Sequence, residues 1–134
     1  MKRFTYIDLD FKYKWKEDSY TSLTLQGEFL GNKRTLSSGT IISSGGAYLF
    51  VDYQFQKIYT IGTRLDYASS PYSSSNQSKG ISLFLGFYPV EETTGFRVQF
   101  QHVVASDIAT GSTGINSIAF QVILSLGPHK AHPF

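Results

Sequence analysis

The chain contains no cysteine, which excludes a disulfide framework, a thiol nucleophile and a thiolate metal site. It has no apolar run approaching the ~20 residues that a membrane-crossing helix needs. A dominant charge of one sign is missing too: 12 Lys and Arg stand against 10 Asp and Glu, a net charge of +2. A nucleic-acid binder working through a basic surface is therefore not expected. The N-terminus, Met1-Lys2-Arg3-Phe4-Thr5-Tyr6, has neither an apolar core nor a small-residue cleavage site, so it does not read as a signal peptide. With 134 residues the chain is one domain or a piece of one.

What is present is alternation. In the stretch from Thr5 to Lys16, Ile7, Leu9, Phe11, Tyr13 and Trp15 fall on one side of an extended strand. Asp8, Asp10, Lys12, Lys14 and Lys16 fall on the other. Side chains of a strand flip with period two, so one face is dry and the other wet. The pattern returns along the chain and predicts seven strands, at about 3–16, 20–31, 46–56, 58–68, 80–89, 96–105 and 116–127. Between them the sequence suggests short turns near 16–19, 56–57 and 89–95. Long Ser/Gly-rich loops are expected at 31–46, 68–79 and 105–114.

This pattern fits a membrane-spanning β-barrel, whose strands hide a lipid face in alternation and whose connections alternate in length. Twenty residues are Tyr or Phe, and many gather at the short-turn end: Tyr13, Trp15, Tyr20, Tyr53, Phe55, Tyr59, Phe87, Tyr88 and Phe96. Such residues favour a membrane–water interface, because one end is apolar and the other can hydrogen-bond. Phe4, Tyr6, Phe29, Tyr48 and Tyr67 would be looser members of an opposite girdle. The dry register excludes charge, as it must where a mid-depth Lys or Arg costs about 2–4 kcal/mol. His102 is its one ionisable member, placed near a strand end or at a bulge. A soluble sandwich or lipocalin-like barrel also alternates, with its apolar face inside. Aromatic placement and loop order favour the membrane.

The seventh strand runs through Ile118-Ala119-Phe120-Gln121-Val122-Ile123-Leu124-Ser125-Leu126, and the sequence closes on Gly127-Pro128-His129-Lys130-Ala131-His132-Pro133-Phe134. A terminal aromatic at Phe134 resembles the assembly signal of Gram-negative outer-membrane proteins, and the closing phrase resembles the end of porin-like or receptor-like barrels. The resemblance implies location in the bacterial outer membrane, with its lipid and its insertion machinery as partners. Pro128 and Pro133 cannot donate to a sheet ladder, so 128–134 reads as a tail that leaves the barrel.

Single-chain bacterial barrels carry an even number of strands, and seven is odd. The favoured expectation is that the chain is the C-terminal segment of a longer barrel. A missed strand around Leu36–Ser43 and a barrel shared between copies, a homo-oligomer, are the alternatives. The missing leader fits a mature form, a chain with an added Met1, or a fragment.

Candidate chemistry is sparse. His129 and His132 could bind zinc, but no carboxylate stands near them in sequence, so no metal or other cofactor is expected. Asp66, Asp107 and His102 would lie toward the outer rim without forming a motif, and no enzyme is expected. The wet register gives the candidate functional surface: Asp8, Asp10, Lys12, Lys14, Glu28, Asp52, Gln54, Arg64, Asp66, Arg97, Gln99 and Gln101 would line a lumen. The sequence thus predicts an all-β, antiparallel up-and-down transmembrane barrel passing small hydrophilic solutes. A small closed barrel with a structural or adhesive role is the first alternative, and a soluble lipocalin-like binder the second.

Overall fold

A computed structural model describes residues 3–36, 38–72, 76–90, 94–107 and 111–124. Phe134, the 128–134 tail, His129 and His132 lie outside the described residues. Those described form one antiparallel sheet of seven strands and no helix. The strands are β1 (Arg3–Lys16), β2 (Ser22–Thr35), β3 (Ile41–Phe55), β4 (Tyr59–Ser69), β5 (Gln77–Val90), β6 (Thr94–Asp107) and β7 (Gly111–Leu124). Each pairs with its neighbours in sequence, in the order β1 to β7. Among the described residues β1 and β7 are edges that do not pair with each other, so the sheet is open.

The strand count agrees with the sequence expectation, but the long loops do not. The Ser/Gly-rich segment 31–46 is mostly strand, because its two halves pair: Gly31 with Gly45, Asn32 with Ser44, Lys33 with Ser43 and Thr35 with Ile41. Gly39, at φ +83°, sits in the residual turn, and among the described residues no separate strand forms around Leu36–Ser43. Likewise β5 begins at Gln77 and β7 at Gly111, well inside the segments read as loops. Long and short connections therefore do not alternate as expected. Backbone pairing between two weakly apolar arms extends a hairpin without any hydrophobic signal.

Two features shape the sheet at the end holding the 17–21 and 56–58 turns. Gln56 and Lys57 both adopt positive φ, 54° and 56°, in the tight β3–β4 turn. On β5 the register with β6 shifts between Phe87 and Val90, where Pro89 has no N–H to give a ladder. That is the irregularity of this hairpin, and it is not at His102, which keeps its register opposite Ile81 and Asn116.

Burial shows which way the sheet coils. Along β5, Ser82 and Phe84 keep 3% and 4% of their surface, while Leu83 and Leu85 keep 52% and 59%. A flat single layer would shelter neither face. Here the polar register is sheltered and the apolar one open, the reverse of a water-soluble sheet.

Candidate functional site: the sheltered polar face

Antiparallel partners share a face, so the register alone arranges this surface in rows. One row runs Asp10, Glu28, Tyr48, Asp66 and Gly80 across β1 to β5. The next holds Lys12, Gln26, Phe50, Arg64, Ser82 and Gln101. Below it come Lys14, Thr24, Asp52, Gly62, Phe84 and Gln99, and then Lys16, Ser22, Gln54, Thr60, Gly86 and Arg97. Asp8 pairs with Leu30 one row above the first. All twelve polar residues singled out in the sequence thus lie on one face, although those of β1 are separated by strands from those of β6.

The centre is a stack of side chains rather than a ring of charge. The Phe84 ring stacks on Phe50, centroids 5.4 Å apart and nearly parallel. It lies over Gly62, where a Cβ would overlap it and would come 2.6 Å from the Val51 carbonyl oxygen. Tyr88 lies in the same way against Gly86 and Gly95. Glycine is required here for space: on the inside of a coiled sheet side chains converge, and rings fit only where a neighbour has none.

Two arginines rest on these rings. The Arg64 guanidinium carbon is 4.2 Å from the Tyr48 centroid, and that of Arg97 is 4.5 Å from the Phe84 centroid. Arg64 Nε donates to Asp66 Oδ1 at 2.8 Å, and the Gln26 amide donates to the Tyr48 hydroxyl at 2.8 Å. Arg97 Nε, Asp52 Oδ1 and Thr60 Oγ1 are buried without a hydrogen-bond partner among the described residues. Arg64, Asp66, Ser82, Phe84, Arg97, Gln99, Gln101 and Phe50 line a cavity of about 350 Å³. Five of these are among the twelve polar candidates; Ser82 and Phe84 fall in the inward register of β5, and Phe50 in that of Arg64, but none of the three is charged or an amide. Their shared register with Arg64 and Gln99 was the signal that could have included them.

Three further placements differ from expectation. Phe4, Tyr6 and Tyr48 pair with Arg34, Asn32 and Glu28 on the polar face. They are not in an outward girdle, because strand parity decides the face whatever the side chain. Lys33 and Lys79 are in the outward register, opposite Ser43 and Tyr67, so His102 is not its one ionisable member. Both stand two residues from an end of their strand. His102 itself faces outward with its Nδ1 2.6 Å from Asn116 Oδ1. Asp66 and Asp107 lie in the opposite register, and these three cannot form one site.

The outward face carries an aromatic ladder at the 56–58 end. Tyr53, Phe55, Tyr59, Phe87, Phe96 and Phe120 stack in succession across five strands, with centroid spacings of 5.3–6.4 Å. Among the described residues no group of three or more His, Asp or Glu is placed to hold a metal ion. Comparison with protein-family models, with curated proteins and with solved structures gives no match to this chain.

Proposed function

We propose that this sheet is the wall of a transmembrane β-barrel of the outer-membrane type, and that its sheltered face lines a passage for small hydrophilic solutes. The observation that carries the reading is the inverted burial of β5, apolar side chains open and polar ones sheltered. A sheet in water commonly shelters its apolar face, whereas a wall facing lipid turns that face outward.

Dimensions support the reading. From Tyr59 to Tyr67 the outward register of β4 is Tyr59, Ile61, Thr63, Leu65 and Tyr67, about 27 Å along the strand at ~3.4 Å per residue. Tilted by ~40° it spans about 21 Å, close to the ~25 Å apolar band of such barrels. The aromatic ladder bounds it at one end and Lys79 at the other. A bilayer does not accept open sheet edges, and β1 and β7 are 14 residues each. Further strands would therefore complete the wall. The edges run in the same direction, so one additional antiparallel strand, or any odd number of them, fits between.

A second reading is a closed barrel without a passage, favoured by the Phe50–Phe84 stack that stands on the sheltered face. The lipocalin-like alternative needs its apolar face sheltered, and the burial runs the other way. The test is planar-bilayer conductance of the full-length protein refolded in detergent. Steps of current support the passage; a folded, inserted protein without current supports the closed wall. A monodisperse fold without any amphiphile would overturn both.

A further inference from the structure

Two arginines line the central cavity, each with its guanidinium over an aromatic ring, and they differ in the partner of their Nε. Arg64 has a carboxylate for its Nε, that of Asp66. Arg97 has none: its Nε is buried and unpartnered among the described residues. A buried N–H without an acceptor is unfavourable, most of all on a charged group. Asp52 lies on the same face, in the adjacent row. Yet it does not bond Arg97, and its own Oδ1 is also unpartnered. The rings hold the guanidinium in place, which keeps its fork of donors fixed. Gln99, Gln101 and Ser82 bring further polar groups to the same cavity.

The geometry points to Arg97 as the anchor of an oxyanion subsite, taking the carboxylate or phosphate group of a small solute. What Asp66 supplies to Arg64, the solute would supply to Arg97. A flat apolar ligand fits poorly, because the Phe84 ring already has Phe50 and Arg97 against it. The inference rests on the lumen reading for access of the solute, and its test does not depend on conductance.

The full-length protein in detergent micelles is titrated with inorganic phosphate, followed by ³¹P line width and calorimetry, and separately with acetate. Binding is expected, weakened about tenfold or more in Arg97→Gln through loss of a charge-assisted hydrogen bond. Arg97→Lys should fall between, keeping the charge but not the fork. Asp52→Asn should bind more tightly, since it removes a competing anion, and this gain cannot come from misfolding. Stronger response to one probe identifies the source of the oxyanion. Wild-type protein that binds neither anion, or Arg97→Gln that binds as wild type does, would overturn the subsite. Binding without current refutes the passage and leaves the subsite; current with Arg97-independent binding does the reverse.

Discussion

Arginine in place of Leu83 is the sharpest test of which solvent meets the outward face. Leu83 lies four residues from Phe87 in the aromatic ladder and four from Lys79 at the other rim. At ~3.4 Å per residue and a tilt of ~40°, that is about 10 Å of depth on each side, near the middle of the belt. A guanidinium there costs about 2–4 kcal/mol in a bilayer, which is a factor of roughly 30 to 1,000 in the folding equilibrium. In water the same change is nearly free, because Leu83 is already 52% exposed and surface substitutions stay within about 0.5 kcal/mol. The assay is reversible denaturant unfolding of the full-length protein in lipid vesicles, followed by the fluorescence of Trp15, the single tryptophan. Lys79→Leu serves as the rim control and should change stability by no more than about 1 kcal/mol, as charge near the interface is tolerated. Leu83→Arg within about 0.5 kcal/mol of wild type would refute the lipid-facing assignment.

Gly62→Val should destabilise by about 1–3 kcal/mol through overpacking, since its Cβ meets the Phe84 ring and the Val51 carbonyl. Gly46→Ala, whose nearest neighbour would be 3.5 Å away, should be close to neutral in the same unfolding assay. Replacing Asn116 by Ala removes the partner of His102 and should cost about 0.6–1.7 kcal/mol, whereas the double change to Leu at both positions should recover most of it, a cycle read in vesicles. Lys57→Gly relieves one of two consecutive left-handed residues and should raise the unfolding midpoint by the equivalent of about 1 kcal/mol; a lower midpoint would show that the turn is held by other contacts.

Much of the sheet was legible because its signal is local. Period two assigns a face to every residue of a strand once one is assigned, so Asp52, Arg64, Arg97 and Gln99 shared a face before any pairing was known. The same rule, applied strictly, puts Tyr48 inward with Asp52; aromatic character alone points to a girdle that parity forbids. Connection lengths were not legible, because the arms 31–35 and 41–45 are held by backbone pairing that any polar residue permits.

The sequence by itself determined seven alternating segments, their dry and wet registers, and the crowding of aromatics at one end. All three follow from chemistry repeated along the chain. Only the tertiary structure decided that the dry face is open and the wet face sheltered, because burial depends on which way the sheet coils. It alone set Phe84 over Gly62 against Phe50, and left Arg97 without the carboxylate that Arg64 has. Those contacts join strands that neither propensity nor period can bring together; they arise from register across the sheet and from side chains converging on its inner curve.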